Sequence, residues 1–270
     1  VKLKSDPSAA ADEPVLLTRE GPLQTVTLNR PHRKNALDRR AWSSLHEALR
    51  AARDNDDVRV VVITGAGGDF CAGADVGDDR GGQHPLQYMQ WMNDIAMTVY
   101  EMPKPVIAKV EGVAVGAGWN LALGCDLVVA STSSRFSQIF ARRGLSLDFG
   151  GSWLLSRIVG LQHAKRLALL ADFVDAEEAR TLGLVTWVKA PEEIDGFVAD
   201  LAKRLADGPP IALAQSKALL NEGVDQTFRE ALENEARAQT VNLATKDAPA
   251  AFRAFLDKTE PVFTGGWAVR

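Results

Sequence analysis

Three short apolar runs restrict the fold more than any other feature of this chain. VRVVVIT (58–64), KPVIAKVEG (104–112) and DLVVAS (126–131) are continuous rather than alternating, and rich in β-branched residues. A strand with one wet face alternates apolar and polar side chains, so these runs read as strands buried on both faces. The segments between them supply the covering helices. One starts near Asp38, an acceptable N-cap, and runs through WSSLHEALRAA; another is HPLQYMQWMNDIAMTVYEMP, stopping before Pro103. VLLTREGPLQTVTLNRP reads as two strands joined at Glu20-Gly21-Pro22, and LVTWV (184–188) as one more. The rhythm predicts an α/β core, spanning residues 14–191 after a loose tail at 1–13. From 192 the pattern is wholly helical to residue 270, with Pro209-Pro210 the clearest break.

Composition removes several functional classes. At 270 residues with 46% hydrophobic and 24% charged residues, the chain is an ordinary soluble globular protein. A formal net charge of −4 gives no general attraction to nucleic acid or acidic lipid. Cys71 and Cys125 form no CxxC pair, and the four histidines are scattered, so neither a metal site nor a disulfide framework is expected. Free cysteines fit a reducing cytoplasm. No run approaches the roughly 20 apolar residues that span a bilayer.

Two of the buried strands lead into small-residue loops, VVVITGAGGDFCAGAD and PVIAKVEGVAVGAGWN. Small residues let backbone N–H groups come close to a ligand, and the second loop opens a helix. Such amides suit an oxygen that gains negative charge; tight turns and close packing would need the same glycines. GAGGDF lacks the G-x-G-x-x-G spacing and leads into loop rather than helix, which argues against a dinucleotide site. Further on, FSQIFARRGLSLDFGGSW carries one acid, Asp148, among Leu145, Leu147, Phe149 and Trp153. The residues leave two uses open: a helix cap, or a base kept partly dry.

These pieces together resemble the crotonase (enoyl-CoA hydratase/isomerase) superfamily. The likeness rests on NRPHRKNALD (29–38), VVITGAGGDFCAGADV (61–76), KPVIAKVEGVAVGAGWNLALGCDLVVAS (104–131), DFGGSWLLSRIVG (148–160) and AEEARTLGLVTWV (176–188), in order. It implies an α/β spiral of ββα turns, a C-terminal helical trimerisation region, and acyl-CoA thioester chemistry in a homotrimer or hexamer. No metal and no redox cofactor are implied, and coenzyme A arrives as part of the substrate. The backbone amides of Ala74 and Ala117 correspond to the oxyanion donors. Coenzyme A would lie against Arg33, Lys34, Ala72, Asp75 and Val76, while Phe255 and Lys258 would reach a neighbouring subunit's nucleotide.

The departures from the family pattern bear on the chemistry. Hydratases of this kind use two glutamates; here those positions hold Asn120 and Phe140. Asparagine takes up no proton at neutral pH and phenylalanine has no polar handle. Asp148 stands four residues after Gly144, where isomerase relatives carry a carboxylate, and the GGSWLL that follows most resembles the ring 1,2-epoxyphenylacetyl-CoA isomerases. The expectation is an acyl-CoA isomerase with Asp148 as base; Asn120 either orients substrate or water or only satisfies a helix start, and Trp119 and Phe140 either line the acyl pocket or belong to the core. A hydratase and a catalytically silent acyl-CoA binder are the alternatives.

Overall fold

The computed structural model describes residues 13–77 and 82–268; the expected tail lies, but for Glu13, outside them. The main sheet has six strands: β1 (Val15–Glu20), β2 (Leu23–Leu28), β3 (Val60–Gly65), β4 (Val106–Val110), β6 (Leu127–Ser131) and β9 (Trp187–Lys189), adjacent in that order. β1 and β2 form an antiparallel hairpin, and every later pair is parallel. A small second sheet joins β5 (Val113–Val115), β7 (Arg135–Ser137) and β8 (Val174–Asp175).

Period-two geometry explains the continuous apolar runs. Val61, Ile63, Ala108, Val110, Val128 and Ala130 point into the main core. That core also takes Trp42, Leu45 and Leu49 of α1 (Arg39–Asp54) and Met92, Ile95 and Val99 of α2 (Pro85–Tyr100). Asp38 caps α1 as expected, accepting from the Ala41 amide at 2.8 Å. The alternate residues Val60, Val62, Ile107 and Val129 face the other way, onto Ile194, Val198, Leu201 and Ala202.

The helix Ile194–Ala206, in the helical segment after 192, covers that second face. Without it, four buried β-branched side chains would meet water. The remaining helices follow in order after α3 (Ala117–Leu123), α4 (Gly151–Leu170) and α5 (Ala176–Thr181), so Ile194–Ala206 is α6. α7 (Pro210–Gly223) is tied to the core by Lys217 Nζ on Asp126 at 2.9 Å and by reciprocal bonds between Asn221 and Tyr100. α8 (Phe228–Leu243) starts with a capping box of Thr227 and Glu230, and α9 (Asp247–Asp257) follows. Phe228, Phe252, Phe255 and Leu256 stand exposed on this helical end.

Candidate active site

The two small-residue loops meet at the carboxyl ends of β3 and β4. After β3 the chain makes a parallel bridge, with Leu37 N–H donating to Gly73 O and Asp75 N–H to Leu37 O, both near 2.9 Å. That pattern uses the neighbours of Ala74 and leaves its own N–H unspent. On the second loop, Gly116 takes φ +56 and ψ −128, a conformation open to glycine, and turns β5 into α3. Ala117 is the first residue of that helix, so its N–H has no partner within it.

Close approach of the loops depends on absent side chains. A Cβ on Gly73 would fall 2.8 Å from Val115 O and 3.5 Å from the Ala117 nitrogen. A Cβ on Gly118 would fall 2.4 Å from Cys71 O. These glycines let the loops pack together, and Ala74 and Ala117 come to line one cavity.

A cavity of about 570 Å³ opens over these amides. Ala72, Ala74, Asp75, Val76, Ala117, Phe140 and Asp148 all line it, as do Arg33 and Lys34 at the basic end. Lys34 is drawn toward Asp69 at 3.1 Å, and the Asp75 carboxylate is bound to Arg30 at 3.0 Å and to the Gly77 amide. Those contacts hold the Asp75 acid below its ordinary range, the Gly77 amide contributing most. Phe255 and Lys258 do not reach this cavity in a single chain. Arg143, Ile139, Phe173, Val113 and Val115 complete its walls. Sequence reading missed them, and only the 3₁₀ segment Ile139–Arg143, lying beside Phe140, carried any signal.

Asp148 differs from Asp75, the other acid that lines this cavity among the described residues. Its side chain does not cap α4: Gly150 occupies the N-cap in a left-handed conformation, and no side chain bonds the first turn. Instead Oδ1 is buried with no hydrogen-bond partner. Desolvation alone pushes the carboxyl up to about 6. A base of that strength is ionised at neutral pH yet takes up a proton readily.

Asn120 is fully buried, and both polar atoms of its side chain are bonded. Nδ2 donates to Asp148 O and Oδ1 accepts from Gln138 Nε2, both at 2.8 Å. It does not line this cavity but borders a second one of about 300 Å³ with Phe149, Gly150 and Trp153, and its amide holds the Asp148 carbonyl. Trp119 is also core, packed against Phe136 with ring centres 5.3 Å apart.

The comparisons with known proteins bear on the family and the fold. The enoyl-CoA hydratase/isomerase family model matches residues 18–266. The chain belongs to that family. It is 36% identical over 249 residues to 1,2-epoxyphenylacetyl-CoA isomerase of Escherichia coli, covering 90% of this chain and 95% of the other. It is 38% identical over 246 residues to a probable enoyl-CoA hydratase of Rhodobacter capsulatus, with the same coverage. A crystal structure of a putative enoyl-CoA hydratase from Streptomyces coelicolor superposes with a TM-score of 0.89 at 36% identity over 98% of both chains. The mixed α/β core with C-terminal helices is therefore the crotonase fold. Hydratase and isomerase names both occur among the relatives, so membership alone fixes the acyl-CoA family and not the reaction.

Proposed function

We propose that this protein is an acyl-CoA isomerase that moves a double bond, or rearranges a ring-bearing acyl group, through a thioester enolate. One observation carries the reading: among the described residues Asp148 is the single cavity carboxylate with a buried, unpartnered oxygen, and the two positions that hydratases fill with glutamate hold Asn120 and Phe140. Asp148 removes a proton alpha to the thioester. The Ala74 and Ala117 amides hold the enolate oxygen as charge develops there. The acid then returns the proton farther along the chain or ring. The step is redox-neutral and calls on no electron carrier.

Arg33 and Lys34 would meet the phosphates of coenzyme A, with Ala72, Asp75 and Val76 along the pantetheine. The exposed apolar side chains of α8 and α9 support assembly into a homotrimer or a pair of trimers, in which Phe255 and Lys258 would approach a neighbour's nucleotide. Two buried free cysteines suit the reducing cytoplasm.

The test is product analysis on 3-enoyl, 2-enoyl and ring-bearing thioesters of coenzyme A, repeated with Asp148→Asn. An isomerase shifts the 3-enoyl double bond, and the variant loses that activity. Hydration of the 2-enoyl thioester at a comparable rate would reject the isomerase reading. Tight binding without turnover of any thioester would leave an acyl-CoA binder.

A further inference from the structure

We infer that Asn120, with Gln138 behind it, is a positioning residue that sets the base against the oxyanion site. This rests on Asp148 being the base. The bracket joins the three segments on which the proposed reaction depends. Asn120 sits on α3, whose first residue offers the Ala117 amide. Its Nδ2 holds the carbonyl of Asp148, and its Oδ1 receives Gln138 Nε2. Gln138 in turn opens the 3₁₀ segment that carries Phe140. One asparagine thus ties the oxyanion helix to the base loop and the base loop to the pocket's aromatic wall.

The base loop has particular need of such a tie. Phe149 takes φ +49, a left-handed conformation that costs a non-glycine residue of order 1–3 kcal/mol unless its surroundings impose it. Asp148 O accepts from both Asn120 Nδ2 and the Gly151 N–H at 2.9 Å, and the Phe149 ring packs on Trp42 with centres 5.2 Å apart. The fit at Asn120 is close enough that a Cβ on Gly151 would fall 2.4 Å from Nδ2. A glutamate at position 120 could not donate from this site, since an ionised carboxylate only accepts. The replacement of that acid by an amide is, on this account, a gain of a donor as well as a loss of a base.

Two readouts separate positioning from mere support. Asn120→Ala should lower kcat on a 3-enoyl thioester about 10- to 100-fold, the range that a displacement near 1 Å produces, with KM nearly unchanged. Its acid limb should fall from about 6 toward the ordinary carboxylate range as the loop moves into water. Among the described residues Arg33, Lys34, Asp75 and Arg143 are the other charged groups facing the cavity, and the substitution leaves them in place.

In an Asp148→Asn background, Asn120→Ala should cost nothing further, because both changes act through one group. If Asn120→Ala lowers thermal stability while kcat and the acid limb stay put, the inference is overturned. It is equally overturned if the two losses multiply, since Asn120 would then act on the substrate itself. Full turnover by Asp148→Asn alone would instead reject the base assignment. Should Asn120→Ala not fold, Gln138→Met removes the donor behind Asn120, together with an unpartnered buried oxygen, and is judged by the same limb and the same cycle.

Discussion

Replacing Asp148 by asparagine should make the protein more stable at neutral pH while abolishing its turnover. The carboxyl rises from the ordinary 3.8 to about 6 because the fold strips water from it without supplying a partner. At about 1.36 kcal/mol per decade of proton affinity, that rise comes to about 3 kcal/mol. For an acid with a raised folded value, the native state binds more protons than the unfolded chain between the two values. Stability from this group therefore falls as pH climbs from about 4 to about 6, and the whole penalty is present by about pH 7.

Asparagine has the same shape and no charge, so it escapes the penalty. Its amide is left unsatisfied in the same place, at a cost of about 1–3 kcal/mol at every pH. The sign at neutral pH thus favours the variant modestly, but the informative quantity is the difference between the two proteins as pH changes. Urea unfolding at fixed protein concentration, from pH 4.5 to pH 8, should show the variant gaining about 2 kcal/mol relative to the parent across that range. Parallel stability curves would mean that Asp148 is solvated or paired, and the proposed base would lose its physical basis.

Other outcomes follow from the same geometry. Because the base must be ionised, kcat/KM should rise with pH through about 6 and level off above it, and no such limb should remain in whatever residual rate Asp148→Asn retains. Ala117→Pro removes one amide donor at the first helical position, where proline is tolerated, and should lower kcat about 10²- to 10³-fold while thermal unfolding changes little. Gly118→Ala drives a methyl against Cys71 O and should destabilise by about 1–3 kcal/mol in urea unfolding, with reduced turnover as the loops separate.

The sequence revealed those parts of the fold whose cause is local. β3, β4 and β6 were legible because both faces of each strand are buried and the apolar run is unbroken. The Asp38 cap and the Glu20-Gly21-Pro22 turn were legible for the same reason. β5, β7 and β8 were not, being only two or three residues long and held by partners distant in the chain. The strand expected over 184–188 lies instead at Trp187–Lys189, because Leu184 and Val185 are buried before the chain reaches the edge of β6. α6 was read as the start of a tail because nothing in its amphipathic pattern says which surface it covers.

At the site, the oxyanion loops were visible as glycines after strands, whereas the state of Asp148 was not. Burial by Phe149 and the absence of a partner for Oδ1 depend on how α1, α3 and the base loop close around it. Asn120 shows the sharper limit. Its identity signalled the loss of an acid, but only the bonds to Asp148 and Gln138 reveal what the amide does.

That contrast has a physical origin in how the two halves of the site are built. The proposed oxyanion donors are main-chain groups, so they survive any substitution that keeps the side chains small and the loops in contact. Alanine at 74 and 117 offers the same N–H that glycine would. The proton-handling group is a side chain, so a single substitution can move it to another segment without disturbing the amides. On the proposed reading the acid stands on the loop before α4 rather than on α3 and the 3₁₀ segment, and the α3 position holds Asn120, whose amide bonds that loop. A fold with its electrostatic half in the backbone can change reaction by relocating one carboxylate. The new location then needs its own support, which is why Asn120 should prove as sensitive to substitution as a residue that touches the substrate.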